Sequence, residues 1–161
     1  MLKIIKYSEK YFKDIVSCIE KLQDFIIEID PHKLNIRTKS YWENAVNNLL
    51  EKVKKENWII YVAIFDEKVV WFIAWVMWFT EDEYKDEFKY VKMWYILELF
   101  IDENYRWQKI WQLLMEEIER YFKENDCEYS YVNVFAQNIW AWKFYEKSWF
   151  SNRMISMSKR I

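Results

Sequence analysis

The segment from Arg106 to Gln112 places Arg106, Gln108 and Lys109 directly after a strand-like run and at the opening of a helical pattern. A helix start presents unpaired N–H groups and a partial positive charge, which together hold an anion. Glu98 stands in an otherwise apolar stretch, Tyr95 to Ile101. It reads either as a solvent-facing glutamate alternating along the strand or as a carboxyl whose pKa desolvation raises toward neutrality, which suits it to proton transfer. Tyr145 lies beside Phe144 near the end of a short helix opened by Asn138, and reads either as a core aromatic or as a phenol able to give a proton. His32 is the one histidine, which excludes a multi-histidine metal site and argues against a Ser-His-Asp triad. Cys18 and Cys127 are far apart and match no metal or redox spacing, so no metal is expected.

Periodicity gives the elements that must hold these groups. Leu2 to Tyr7 alternates as a strand, and Ser8 is the expected N-cap of a helix with Phe12, Ile15, Val16, Ile19, Leu22 and Ile26 at helical spacing. That helix stops before Asp30-Pro31, because proline disfavours helical backbone at the residue preceding it. A second amphipathic helix begins near Ser40, with Ala45, Val46, Leu49, Leu50 and Val53 on one face. Residues 59–65 and 68–79 read as a hairpin turning at Asp66-Glu67, and 91–101 as a further strand. After Arg106 a helix carries Ile110, Leu113, Leu114, Ile118, Tyr121 and Phe122 on one face. A strand at 128–135, a short helix at 138–147 and a terminal strand at 149–160 complete the order βααβββαβαβ. This is an α/β (α+β) chain, a single domain over residues 1–161 with a mixed, mostly antiparallel sheet flanked by helices and one helical crossover.

A chain of 161 residues, 53% of them hydrophobic, is long enough for a real core and is not a disordered segment. A net charge of -2 argues against a broad nucleic-acid footprint. The longest apolar run, Val69 to Phe79, is too short for a bilayer, which needs about 20 residues. The start of the chain lacks the apolar core of a signal peptide, so a reduced cytoplasmic compartment is expected.

Composition holds an anomaly. Glycine is absent and tryptophan occurs 11 times. A fold without glycine makes every left-handed backbone position with a Cβ in the way. Trp58, Trp107, Trp111, Trp140 and Trp149 fall at turns and helix starts, where glycine has a mechanical purpose. Trp71 and Trp75 lie in the second hairpin strand, where glycine marks a bulge or a close backbone approach. The economical reading is a stop codon reassigned to glycine (UGA) but written as tryptophan. Trp78 and Trp94 stand undecided, and Trp42 and Trp142, inside helices, fit as genuine.

With that substitution, residues 98–111 become E-L-F-I-D-E-N-Y-R-G-Q-K-I-G and residues 138–150 become N-I-G-A-W-K-F-Y-E-K-S-G-F. The first resembles the acyl-CoA pyrophosphate loop of the GNAT acetyltransferase superfamily. The second resembles that family's Asn-x-x-Ala-x-x-x-Tyr-x-x-x-Gly-Phe segment, and the hairpin at 61–75 its central pair of strands. The written sequence departs at every family glycine, and Lys109 stands where the family often has another.

The resemblance implies an acetyl-CoA-dependent N-acetyltransferase acting by direct transfer on a primary amine of a small molecule or a protein. Glu98 then takes the place of the general base, directly or through water, and Tyr145 that of the general acid. The pyrophosphate would lie on Arg106, Trp107, Gln108, Lys109, Ile110, Trp111 and Gln112, chiefly on backbone amides. Leu99, Phe100 and Ile101 would offer main chain to the pantetheine arm, and Asn138 a side chain. The first two helices and their connection would cover the acceptor, making Glu28 and Asp30 weak substrate candidates. The acidic run Glu81, Asp82, Glu83, Asp86 and Glu87 reads as solvated, or as the mouth of a site for a cationic amine. Polyamines, aminoglycosides, amino acids and protein N-termini all stay open as acceptors, and a monomer or homodimer is implied. Two other readings stand beside this one: a non-catalytic acyl-CoA-binding module, and a Trp-rich interaction surface if the indoles are genuine.

Overall fold

In the computed structural model the described residues are 2–55, 58–79, 86–87, 89–106 and 110–160, with the side chains of Trp58, Trp78, Phe79, Ile110 and Trp111 left aside. The chain runs β1 (Lys3–Lys6), α1 (Phe12–Ile29), α2 (Tyr41–Lys55), β2 (Trp58–Phe65), β3 (Lys68–Phe79), β4 (Lys92–Ile101), α3 (Ile110–Glu124), β5 (Tyr129–Val132) and α4 (Ile139–Lys147).

The strands form one sheet in the order β1-β2-β3-β4-β5. The first four pair antiparallel, and β5 joins β4 in parallel through the α3 crossover. Helices cover both faces. On one, Ile15 and Ile19 of α1 and Val46 and Leu49 of α2 pack with Val62, Phe72, Ala74 and Phe100. On the other, Leu114, Ile118 and Phe122 of α3 and Phe144 and Tyr145 of α4 pack with Trp71, Ile73, Trp75 and Ile101. β3 is therefore buried on both faces through its middle, which is why Val69 to Phe79 is continuously apolar instead of alternating.

Several local expectations change. Ser8 makes no side-chain cap; it precedes a single 3-10 turn, Glu9–Tyr11, and α1 starts at Phe12. α1 does end before Pro31, with Asp30 in extended backbone. The β2–β3 turn has Asp66 at φ 46° and Glu67 at φ 66°. Two successive positive φ values are the type I′ hairpin geometry, usually filled by Asn-Gly. Leu113 is half exposed instead of packed with the rest of its helix face. β5 is shorter than 128–135 because its pairing with β4 stops at Ile96 and Val132.

The terminal strand is absent: residues 151–160 pair with no strand among the described residues and lie exposed, including Met154, Ile155 and Met157. Side chains tether them, Arg153 to the Tyr131 hydroxyl and Ser158 to His32. The strand-like pattern lacks a buried face to point its apolar residues at, so it has nothing to drive pairing. Among the described residues, no helix is long and apolar enough to cross a membrane.

Candidate active site

Two irregularities in the sheet shape the site. Between β3 and β4 the register steps from Ala74↔Glu98 to Trp75↔Ile96, leaving Leu97 as the extra residue of a bulge. A bulge bends its strand and re-aims the neighbouring side chains. At the same point β4 loses β5, since the parallel pairing ends at Ile96↔Val132. Beyond it, residues 98–101 of β4 pair on the β3 side, and their other edge has no strand partner among the described residues. Apart from the Ile101 carbonyl, which accepts from Arg106 Nε, the backbone groups on that edge have no strand partner among the described residues and are open to another amide-bearing chain.

Glu98 is the first residue after the bulge. It stands opposite Ala74, on the face covered by α1 and α2. Its carboxyl is pushed up to about 7 by desolvation. Among the described residues no hydrogen bond or ion pair holds it, so its oxygens are left to whatever enters. A cavity of about 180 Å³ lies over it, between α1, α2 and β4. Tyr145 is 6% exposed and packs on Phe144 and Phe150 in the core of the opposite face. Burial, with the negative charge of Glu98 adding to it, raises the Tyr145 phenol above its ordinary range. The two groups thus feel each other across the opening of the sheet.

β4 ends at Ile101, and the carboxylate of Asp102 that follows accepts a hydrogen bond from the Asn104 amide at 3.1 Å and so caps a single 3-10 turn, Glu103–Tyr105. That turn delivers Arg106, whose Nε donates to the Ile101 carbonyl at 3.4 Å while its guanidinium lies 4.9 Å from the Trp140 ring in the first turn of α4. The two motifs read from the sequence therefore meet at one place. Trp107, Gln108 and Lys109 lie outside the described residues, as do Glu81, Asp82 and Glu83. Ile110 and Trp111 form the backbone of the first turn of α3, with exposed Gln112 beside them. Leu99 and Ile101 point into the α3–α4 core and Phe100 into the α1–α2 core, leaving main chain at the edge. Asn138 is the N-cap of α4: its Oδ1 accepts from the Ala141 amide at 3.0 Å.

The acceptor-side candidates fare differently. Glu28 is exposed and is not among the residues lining the cavity. Asp30 is 4% exposed, and its carboxylate accepts from the amides of His32, Leu34 and Asn35 and from Asn35 Nδ2, at 2.8 to 3.0 Å. Those bonds, led by the Asn35 side chain, hold it well below the usual carboxylate range. It builds the loop after α1 instead of facing a ligand. Sequence reasoning missed Gln23 and Tyr41, which line the cavity. The signal was present, because Gln23 continues the buried stripe of Ile15 and Ile19 at helical spacing, and a buried amide there needs a partner. Among the described residues, no group of three or more His, Cys, Asp or Glu converges on a metal-sized site.

Comparison with known proteins agrees with this architecture. A mutant form of a Bacillus halodurans protein is 16% identical, covers 99% of each chain and superposes with a TM-score of 0.88. Glucosamine-6-phosphate N-acetyltransferase from Arabidopsis thaliana is 17% identical over 99% of this chain and 98% of its own, with a TM-score of 0.66. An aminoglycoside acetyltransferase from an uncultured soil metagenomic sample, solved with sisomicin, is 17% identical over 99% and 96%, at 0.66. At such identities the likeness is one of fold. No curated protein matches by sequence. The family assignment comes from the sequence itself, which matches the Acetyltransferase (GNAT) family over residues 19–149, and the chain belongs to that family.

Proposed function

We propose that the protein moves an acetyl group from acetyl-CoA to the nitrogen of a primary amine by direct attack. The observation that carries this reading is Glu98, set beside a bulge where β4 parts from β5, with its carboxyl near 7. A primary amine is mostly protonated at neutral pH and must lose a proton before it attacks. A base whose pKa sits at the working pH takes that proton most effectively. The thioester, when bound, supplies the activated acyl carbon. Tyr145, kept protonated by burial, holds the proton for the departing sulfur. Base and acid belong to opposite faces of the sheet, so the amine enters from the α1–α2 side and the thiol leaves toward α4.

The residues present suit the cofactor. The open edge at Leu99, Phe100 and Ile101 matches an arm that carries its own amides, and the Asn138 Nδ2 group has no partner among the described residues. Arg106 and the first turn of α3, with Gln112, would take the diphosphate, together with Trp107, Gln108, Lys109, Ile110 and Trp111. Acetyl-CoA should raise the melting temperature, and Glu98→Gln should lose turnover while keeping that shift. Turnover unchanged in Glu98→Gln would remove this mechanism.

We infer further that the working protein has glycine at several of the written tryptophans. Trp149 has φ 66° just after α4. The Trp149 amide donates to the Glu146 carbonyl and the Phe150 amide to that of Tyr145, while the Tyr145 and Phe150 rings stack edge-on at 5.2 Å. This is the Schellman ending, whose left-handed residue is usually glycine. Trp71 and Trp75 border the register shifts of β3 with β2 and with β4. Trp71, Trp75 and Trp94 bury indole N–H groups without a partner. Each such orphan costs about 1–3 kcal/mol. Trp42 differs: it packs edge-on against Tyr41 and lies 4.9 Å from the Arg37 guanidinium, as a working indole does. Peptide masses from native cells decide between the residues, and tryptophan at position 149 would sink the idea.

A further inference from the structure

The cavity over Glu98 says what kind of amine it takes, on the footing of the transfer reading above. At about 180 Å³ it falls below the roughly 300–1,000 Å³ of sites that enclose drug-sized ligands. The apolar part of its wall is made by Ile19, Leu22 and Ile26 of α1, Ala45 and Leu49 of α2, and Leu97 at the bulge, and Asn48 of α2 adds an amide. Glu98 is the one carboxylate among its described lining residues, and the other ionic group is a cation, Lys52. The polar corner is fixed in advance. Gln23 is 8% exposed, accepts from the Tyr41 hydroxyl at 3.3 Å and donates to the Ile36 carbonyl at 3.4 Å.

Holding a polycation in a site shielded from water takes a carboxylate or a dipole for each ammonium, because unpaired buried charge is costly. Among its described lining residues this cavity offers one carboxylate. We propose that it selects a compact monoamine with an apolar body, seated between α1 and α2 with its nitrogen at Glu98, and that it rejects polyamines and aminoglycosides.

Calorimetry with 2-phenylethylamine, spermidine and sisomicin, with and without CoA, tests selection apart from turnover. The expected result is 2-phenylethylamine binding at least about tenfold tighter than either polycation. Ala45→Phe should weaken it by a similar factor by filling the cavity. Lys52→Glu, which adds a second carboxylate to the lining, should raise spermidine affinity severalfold. Polycations binding as tightly as the monoamine, no monoamine binding, or indifference of spermidine to Lys52→Glu would each overturn the proposal. Thiol release from acetyl-CoA is followed separately. Its absence with every amine, alongside the expected binding pattern, overturns the transfer reading alone. Its presence with sisomicin upholds transfer and overturns the selectivity.

Discussion

At Glu98, desolvation without a partner has two consequences of opposite value. The first is catalytic: kcat/KM should rise with pH through about 7 as the carboxyl ionises, and Glu98→Gln should remove that limb and lower turnover by about 10²–10⁴. A pH–rate profile measured on both proteins checks it. The second is a cost in stability. The carboxyl titrates at 4.5 when unperturbed and at about 7 in the fold, so between those values the native state binds the extra proton. Stability is then greatest below 4.5 and falls as pH rises to about 7, by on the order of 3 kcal/mol in all. Glu98→Gln should flatten that slope in urea titrations and leave the protein more stable at pH 8. Tyr145 belongs to the same scale. Tyr145→Phe should lower kcat about 10²–10⁴-fold with little change in KM, because a proton donor acts in the transition state and not in binding.

Among the elements, the most informative is the end of α4. Its hydrogen bonds and ring contact are those of a Schellman ending, but Trp149 occupies the left-handed position and is 93% exposed. A side chain there meets the carbonyl that follows, at about 1–2 kcal/mol, while an exposed indole has no packing to offset it. Trp149→Gly should therefore stabilise the chain by about 1 kcal/mol, read as a higher urea midpoint at unchanged slope. Much of this scale was legible beforehand. Ile15, Ile19 and Ile26 place α1 by spacing, Pro31 stops it, and Asp66-Glu67 turns the hairpin, because each is a local property of a few neighbouring residues. Residues 149–160 show the limit. Strand propensity there found no buried face and no ladder partner, and propensity without packing makes no strand.

For the molecule as a whole, the central question is how a sheet of this topology carries the fully buried Trp71, Trp75 and Trp94. Trp75 and Trp94 pack with Tyr121 and Phe122 under α3, at ring separations of 5.5 to 6.4 Å, so the core is filled, yet their N–H groups and that of Trp71 stay unsatisfied. If glycine is the working residue at 107 and 111, the variant carrying it there should bind acetyl-CoA more tightly than the written chain. At 100 times Kd the bound form gains about 2.7 kcal/mol, which a thermal shift resolves. Equal shifts in the two proteins would show that a Cβ and an indole do not obstruct the helix start.

The sequence by itself determined the order of the elements as far as α4 and Glu98 as an isolated carboxyl in an apolar strand, since periodicity and composition are properties of the chain alone. Tertiary structure decided the rest. It put the Leu97 bulge beside Glu98, parted β4 from β5 at Ile96, brought Arg106 onto Trp140, and closed Gln23 and Tyr41 into a pocket while Asp30 went to hold a loop. Those outcomes depend on which surfaces meet across many residues of separation, and no local pattern contains that information.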